Sequence, residues 1–288
     1  MGNSIARTRS TLVALAVGCA ALHGSAATVR AAANEVQVTP EVGAIWEAPE
    51  RAWSGSTVLL LHGFADDRDG AGDLTKRLAI ALAESGIASL RINFRGEGDR
   101  LRTKIESTLT SRVEDTAAAH AFVIRQAGVD PKRIGVVGWS LGAATAIVTG
   151  AQSPAWFKSM VLWSSPSGDL FAQLTAKDPG KAALRDGQAT EDIPGWKAIT
   201  TQRSYYESFR GVNLDEKLAR YPGAFLAVRG TMDFLPPRDA DLVAIARGRP
   251  AEAVLLGGAD HIFNVFQPEL GHATRAVEVT VAWLVRTL

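Results

Sequence analysis

A serine stands at the centre of a pentapeptide with glycine at both ends. Ser140 is the middle residue of Gly138–Gly142, directly after the apolar run Arg133–Val137, and an alanine-rich stretch that favours a helix follows it. A sharp strand-to-helix turn lifts such a hydroxyl above the sheet edge, and this turn requires small residues two positions before and two after the serine. Because a serine hydroxyl is a poor nucleophile by itself, the chain must also supply a base and an acid that orients the base.

The base is sought among five histidines. In a strand–turn–helix arrangement of this kind, the chain order is serine, acid, histidine, each after its own strand. His261 lies in Gly257–Phe263, just past the last predicted strand, and is the predicted base; His272, which opens the last predicted helix, is the alternative. The other three lie in the N-terminal segment (His23), directly after a strand (His62) and within an alanine-rich helix (His120).

Asp233 is the predicted acid because it follows the preceding predicted strand, in Arg229–Pro237. The alternative interpretation is a turn aspartate, which is common beside Gly and Pro. Asp260 adjoins the histidine, and side chains of adjacent residues diverge. Asp239 and Asp241 are typical of the start of a helix, where acids suit the dipole. The predicted catalytic set is therefore Ser140, Asp233 and His261.

Two backbone N–H groups are expected to bind an oxyanion. One is the N–H of Leu141, the residue after the serine, and the second is that of Phe64 in His62-Gly63-Phe64-Ala65, which follows another predicted strand. The segment Asn93–Asp99 contains Gly-x-Gly, but no third glycine is in register and no helix begins there, which argues against dinucleotide binding. Its charged residues are expected to brace the loop beneath the site.

Alternating strands and helices must position these residues. Two short antiparallel strands (Val36–Val38 and Ala44–Trp46) precede the alternation. The predicted strands that follow are Thr57–Leu61, Ile87–Ile92, the run before Ser140, Lys158–Trp163, Ala224–Arg229 and Ala253–Leu256. The predicted helices are Asp73–Glu84, Val113–Ala127, the stretch after Ser140, Asp239–Ala246 and Gly271–Leu288. The pattern predicts an α/β fold with a mostly parallel sheet covered by helices on both faces.

Residues 165–220 interrupt this alternation and are richer in charge, Gly and Pro. We interpret them as an insertion between strands rather than a second domain, and call them the insertion. The whole chain has 288 residues, 47% hydrophobic residues and a formal net charge of +1, which suits one domain with a sizeable core. No Lys/Arg cluster alternates with aromatics, so nucleic acid is not an expected partner.

The N-terminus has the layout of a secretory signal peptide. Arg7 and Arg9 precede a short apolar run, Thr11–Leu22, and small residues follow it. We predict a signal peptide over residues 1–27 and an exported protein, periplasmic or secreted, with residues 28–55 forming an N-terminal extension and the first strands. Cys19 lies in a segment similar to a lipobox, so membrane anchoring is expected only if this cysteine is lipidated. A first helix of the globular domain is the alternative.

The motifs occur in the order of a known superfamily. His-Gly-Phe-Ala, Asn-Phe-Arg-Gly-Glu-Gly, Gly-Trp-Ser-Leu-Gly-Ala, Gly-Thr-Met-Asp and Gly-Ala-Asp-His-Ile-Phe follow one another along the chain. The chain resembles the α/β-hydrolase superfamily over roughly residues 56–288, and is most similar to bacterial carboxylesterases of the cinnamoyl/feruloyl esterase and serine-aminopeptidase-like groups. The resemblance implies that the insertion follows the sixth core strand and caps the substrate. Trp139 departs from relatives that carry His or a smaller residue, which affects the expected acyl pocket.

The expected function is that of an exported serine hydrolase, a carboxylesterase that cleaves small or aromatic esters and needs no metal or organic cofactor. Trp139, Trp196 and Tyr205 are candidate substrate contacts, with ordinary packing as the alternative for the insertion's aromatics. An aminopeptidase or amidase of the same fold is the second hypothesis, and it requires acids of the insertion (Glu191, Asp192 or Glu207) to point at the serine. A non-catalytic binding protein on this fold is a remote third.

Overall fold

The structure, a computed structural model, describes residues 31–50, 53–193 and 196–288. The signal-peptide and Cys19 predictions fall on residues outside these ranges. Within the described part of the chain, no helix has the length and apolar character needed to cross a membrane.

The main sheet has eight strands and is mostly parallel, as predicted. The strands in chain order are β1 (Ala31–Thr39), β2 (Val42–Pro49), β3 (Thr57–Leu61), β4 (Ala88–Ile92), β5 (Lys104–Ile105), β6 (Ile134–Trp139), β7 (Ser159–Trp163), β8 (Gln188–Asp192), β9 (Ala198–Gln202), β10 (Ala224–Gly230) and β11 (Ala251–Leu256). The main sheet has the order β1-β2-β4-β3-β6-β7-β10-β11, and β2 pairs antiparallel with β1 and β4. All its other pairs are parallel.

Helices cover both faces of this sheet. They are α1 (Leu74–Glu84), α2 (Leu109–Val123), α3 (Leu141–Gln152), α4 (Leu170–Ala176), α5 (Asp178–Asp186), α6 (Arg203–Glu207), α7 (Leu214–Leu218), α8 (Asp239–Ile245) and α9 (His272–Thr287), with short 3-10 turns at Ala71–Asp73 and Pro268–Leu270. The core side chains of α2, α3 and α8 pack on one face, and those of α1 and α9 on the other. Burying β3, β4, β6, β7 and β10 on both sides explains why their sequences are continuous apolar runs.

Helix α2 begins at Leu109, four residues before its predicted start. Thr108 caps it: its side chain accepts the N–H of Ser111, and the Ser111 hydroxyl in turn accepts the N–H of Thr108. The first turns bury polar residues, Arg112 and Asp115, on the face turned to the protein. Such polar residues mask the apolar periodicity by which a helix is recognised from sequence.

The insertion folds into short elements of its own. Between β7 and β10 lie four helices (α4–α7) and the hairpin β8–β9, none of which the sequence analysis resolved. Strand β9 also pairs in parallel with β5, which comes from the connection after β4. A small three-stranded sheet, β5-β9-β8, thus joins the insertion to the main domain.

Candidate active site

Ser140 occupies a strained turn between β6 and α3. Its backbone has φ 52° and ψ −114°, a conformation that costs energy for a residue with a Cβ. Its N–H donates to the carbonyl of Trp163 at 2.9 Å. A Cβ added to Gly138 would lie 2.3 Å from the Gly142 oxygen, and one added to Gly142 would lie 2.1 Å from the Leu61 oxygen. Both glycines are therefore required by the close approach of backbone at this turn.

The structure brings Ser140, His261 and Asp233 into one hydrogen-bonded chain. Ser140 Oγ lies 3.0 Å from His261 Nε2, and His261 Nδ1 lies 2.8 Å from Asp233 Oδ1. The three residues follow β6, β11 and β10 respectively, so each comes from the carboxyl end of its own strand. His261, rather than His272, is the histidine placed against Ser140.

Asp233 is held in its carboxylate form. Burial alone would raise the pKa of its carboxyl, but hydrogen bonds from His261 and the Leu235 N–H, with the positive charge of Arg229, hold that pKa below its usual value. A carboxylate only accepts hydrogen bonds, so the proton between the two side chains belongs to His261 Nδ1. Nε2 is then left as an acceptor facing the hydroxyl of Ser140, which is the arrangement that general-base chemistry needs.

Arg229 supports Asp233 from inside the protein. It is the penultimate residue of β10, its side chain is buried, and its guanidinium reaches Asp233 Oδ2 at 3.2 Å and Asp239 Oδ2 at 2.6 Å. The sequence predicts Asp239 at a helix start and predicts no role for Arg229. The available signal was a charged residue inside an otherwise apolar strand, which requires a buried partner.

Trp139, a candidate substrate contact, lies beneath the site. Its side chain is buried between Trp163 and Phe263, and its Nε1 lies 3.3 Å from the carbonyl oxygen of His261. Ser164 Oγ donates to the same carbonyl at 2.9 Å. We therefore assign Trp139 to holding the His261 loop.

The segment His62–Ala65, here called loop 62–65, lies beside Ser140. A Cβ on Gly63 would be 3.6 Å from Ser140 Cβ. Among the described residues, no hydrogen bond uses the N–H of Phe64 or of Leu141. The two predicted donors are thus uncommitted N–H groups next to the serine.

A buried ion pair supports loop 62–65 from below. Glu97 Oε2 accepts the N–H of Ala65 at 2.9 Å, while its Oε1 is bonded by Arg112 and by the Ser107 hydroxyl. Arg112 also donates to the carbonyl of His62. Burial would raise the pKa of Glu97, but Arg112 and these hydrogen bonds hold it below its usual value. The prediction that charges in Asn93–Asp99 brace this loop is confirmed by these contacts.

His62 is a neutral structural residue. It is fully buried, its Nδ1 donates to the Gly63 carbonyl at 2.8 Å, and its Nε2 accepts the N–H of Phe94 at 3.2 Å. Burial, reinforced by the charge of Arg112, lowers its pKa to about 4. His120 also packs in the interior, stacked on Trp156 at 4.4 Å. Neither histidine is available as a base for Ser140.

The two aromatic candidates of the insertion differ in position. Tyr205 is buried, and its ring packs against the ring of Phe64 with 5.3 Å between centroids. Trp196 is about half exposed and lies beside the ammonium of Lys197, 4.7 Å from its ring centroid. Tyr205 thus borders loop 62–65, whereas Trp196 lies at the surface of the insertion.

Comparison with known proteins agrees with this architecture. Residues 56–242 match the family described as the alpha/beta hydrolase fold. This match covers more than half of the chain, so the chain belongs to the α/β hydrolase family. An uncharacterised protein of Mycobacterium tuberculosis (strain ATCC 25618 / H37Rv) is 34% identical over 134 residues, which are 45% of this chain and 45% of that protein. The chain therefore spans less than half of the length of this curated relative.

Solved structures share the fold at low sequence identity. Est1E from Butyrivibrio proteoclasticus superposes with a TM-score of 0.67 at 15% identity, over 88% of this chain and 98% of that one. A structure of Est1E with ferulic acid bound superposes with a TM-score of 0.66 at 15% identity, over 85% of this chain and 95% of that one. The esterase domain of a Rhodothermus marinus protein superposes with a TM-score of 0.61 at 22% identity, over 90% and 98% of the two chains. These likenesses establish the α/β hydrolase fold.

Proposed function

We propose that this protein is a serine hydrolase that cleaves carboxylic esters through an acyl-enzyme on Ser140. One observation carries the proposal: the hydrogen-bonded chain from Ser140 Oγ through His261 to Asp233. It supplies a nucleophile, a base with its acceptor nitrogen turned to the nucleophile, and a carboxylate that fixes the imidazole tautomer.

In the first half of the reaction, Ser140 Oγ attacks the ester carbonyl carbon while His261 Nε2 takes the hydroxyl proton. The carbonyl oxygen becomes an oxyanion, which the N–H groups of Phe64 and Leu141 bind. The C–O bond to the leaving alcohol then breaks, and His261 returns the proton to that alcohol. Asp233 stabilises the imidazolium throughout without taking its proton.

In the second half, water replaces the alcohol. The oxygen of a water molecule attacks the acyl carbon of the Ser140 ester while His261 removes a proton from that water. The second tetrahedral intermediate collapses, the proton passes to Ser140 Oγ, and the carboxylic acid leaves. The enzyme is then restored, with one ester and one water consumed.

The surroundings of the triad favour an ester with an apolar or aromatic group. The ring of Phe234 lies 4.3 Å from the imidazole of His261, and Met232, Phe234 and Phe266 are exposed on the loops that carry Asp233 and His261. A substrate that approaches Ser140 along these loops meets apolar side chains. The ferulic acid complex of Est1E is consistent with such a substrate, although that ligand belongs to the other protein.

Recognition of a free amine has less support. An aminopeptidase needs an unpaired carboxylate near the serine, but Glu207 forms a two-pronged ion pair with Arg210, at 2.8 and 3.0 Å. Glu191 and Asp192 are exposed on β8. We therefore place the aminopeptidase hypothesis second.

A fluorophosphonate probe tests the proposal directly. We expect the folded wild-type protein to form one covalent adduct, and Ser140→Ala to form none; Ser204→Ala, at an exposed serine of α6, is the matched control and should label fully. Absence of an adduct on the wild type would contradict a serine hydrolase. A panel of p-nitrophenyl esters, feruloyl esters and aminoacyl anilides then tests the substrate class, and preferential cleavage of the anilides would replace esterase with aminopeptidase.

A further inference from the structure

We propose that Lys197, a residue of the insertion, is a positioning residue that fixes loop 62–65 and thereby aims the Phe64 N–H at the oxyanion. The inference rests on the proposed function, since it assigns the insertion a part in the same reaction. It adds a role for the insertion in the rate of the chemical step, separate from any role in admitting substrate.

The ammonium of Lys197 uses all three of its donors on backbone carbonyls. Its Nζ lies 3.2 Å from the Ala65 oxygen, 2.7 Å from the Arg100 oxygen and 2.9 Å from the Arg102 oxygen. The first belongs to loop 62–65, and the other two to the connection between β4 and β5. A lysine carries three N–H donors, so this arrangement leaves none for solvent or substrate. Lys197 therefore ties together three segments that are far apart in sequence.

Ala65 is held at both of its polar groups. Its carbonyl accepts Lys197 from the insertion, and its N–H donates to the buried Glu97 from the opposite side. Its φ is 54°, in the left-handed region that disfavours residues with a Cβ. A strained residue of this kind persists only when its surroundings hold it, and here both hydrogen bonds do so. The Ala65 N–H belongs to the peptide next to the one that carries the Phe64 N–H, so the two hydrogen bonds of Ala65 restrict the backbone on which that donor lies.

Apolar contacts bring the insertion onto the same loop. Ala65 forms a small buried cluster with Ile105 of β5 and Ile199 of β9, and Phe64 packs against it. The ring of Tyr205 covers Phe64 from α6. Apolar contacts of this kind bring surfaces together without fixing the direction of a peptide group. The hydrogen bond from Lys197 to the Ala65 carbonyl restricts that direction, and the other two bonds of Lys197 fix the ammonium in place.

Replacing Lys197 distinguishes two roles that the insertion could have. If the insertion only selects substrates, removing the Lys197 ammonium changes the relative rates with different esters. If Lys197 positions the oxyanion donor, its loss lowers the rate with every ester by a similar factor, because each forms the same oxyanion. Removal of one oxyanion donor costs about 10²- to 10³-fold in kcat in well-studied hydrolases, so loosening a donor is expected to cost somewhat less.

The test is Lys197→Met, which keeps the length of the side chain and removes its donors. We expect kcat to fall by roughly tenfold to a hundredfold on both p-nitrophenyl acetate and p-nitrophenyl butyrate, by a similar factor for each and with KM little changed. Rates are expressed per active site, counted by fluorophosphonate adducts at completion, so that unfolded protein does not enter the result. Lys181→Met is the matched control, because Lys181 is an exposed lysine of the insertion whose ammonium pairs with the exposed Asp178, at 3.6 Å.

A second measurement on Lys197→Met and Lys181→Met is inhibition by phenylboronic acid. Its tetrahedral adduct with serine places an oxygen in the oxyanion site. We expect its inhibition constant to rise in Lys197→Met and to stay at the wild-type value in Lys181→Met. Unchanged kcat and unchanged inhibition in Lys197→Met would overturn the inference while leaving the hydrolase assignment intact. A change confined to KM, or to one of the two esters, would overturn it in favour of substrate selection. A wild type that neither hydrolyses esters nor reacts with the fluorophosphonate would overturn both.

Discussion

The indole Nε1 of Trp139 lies 3.3 Å from the carbonyl oxygen of His261, so the residue before the proposed nucleophile contacts the loop that carries the proposed base. Ser164, at the end of β7, donates to the same carbonyl at 2.9 Å. The positions of the serine and the histidine are therefore linked through the interior of the protein as well as across the active site. This link explains why a large tryptophan is accommodated within the pentapeptide.

Removing the hydrogen bonds to the His261 carbonyl tests whether they position His261. Trp139→Phe retains most of the packing and removes the N–H, and we expect kcat to fall severalfold, because a net hydrogen bond contributes about 1 kcal/mol. Ser164→Ala removes the shorter of the two bonds and should lower kcat at least as much. The measurement is kcat on p-nitrophenyl butyrate together with the thermal midpoint. Wild-type kcat in both variants would contradict a role for this carbonyl in placing His261.

Arg229 should determine how far the activity extends toward low pH. Arg229→Met leaves the carboxylates of Asp233 and Asp239 buried without their counter-charge, and breaking such a buried pair costs about 3–5 kcal/mol in the free energy of unfolding. The pKa of Asp233 then rises, so kcat/KM begins to fall at a higher pH than in the wild type. Urea unfolding and the pH dependence of kcat/KM measure the two effects.

Arg238→Met serves as the control for this variant. Arg238 pairs with Asp215 and Asp241 at the surface, each at 3.0 Å, where ion pairs contribute less than about 1 kcal/mol. Its pH profile should match that of the wild type. An Arg229→Met enzyme with an unshifted profile would show that Arg229 does not control the charge of Asp233.

Gly142 should be intolerant of a single added methyl group. In Gly142→Ala, the new Cβ would lie 2.1 Å from the backbone oxygen of Leu61, and neither the strand that carries this oxygen nor the turn that carries the Cβ can move aside without disrupting the sheet or the turn. We expect loss of fluorophosphonate labelling and destabilisation by more than about 4 kcal/mol, or failure to fold. Gly257→Ala is the control, because its φ is not in the left-handed region and a Cβ there meets nothing within 4 Å. Normal labelling of Gly142→Ala would contradict the tight turn.

His62 should make stability depend on pH between about 6.5 and 4. Its pKa is lowered to about 4 by burial, so its contribution to stability is present above pH 6.5 and is lost as the pH falls toward 4, because only the unfolded chain binds the proton in that range. Between pH 7 and pH 5 this group should cost the wild type about 2 kcal/mol. The free-energy difference between wild type and His62→Gln, measured by urea unfolding, should shrink by that amount.

Asp66 provides a control of opposite sign. Burial raises the pKa of its carboxyl to about 6, so its contribution is present at low pH and is lost as the pH rises through 6. The difference between wild type and Asp66→Asn should therefore move in favour of the wild type as the pH falls from 7 to 5. If both differences moved in the same direction, the assignment of the two buried groups would be wrong.

The apolar strands were predictable because they are buried on both faces and therefore appear as continuous apolar runs. Ser140 and Asp233 were found because each follows such a run, whereas His261 follows the more exposed edge strand β11 and was found from the chain order serine, acid, histidine. The start of α2 was misplaced because Arg112 and Asp115 are polar residues on its buried face. The elements of the insertion were not predicted, because they are short and because one of them, β9, pairs with β5, which lies almost a hundred residues earlier.

The sequence by itself determined the parallel sheet and the residue types at its carboxyl edge, since periodicity and glycine placement are local properties of the chain. Only the tertiary structure decided how these residues are held. Trp139 reaches His261 across 122 positions, and Lys197 reaches Ala65 across 132. Contacts over such separations leave no local pattern, because they depend on how elements pack after each has formed. The chemistry of the site is thus encoded in short motifs, and its geometry in the packing between them.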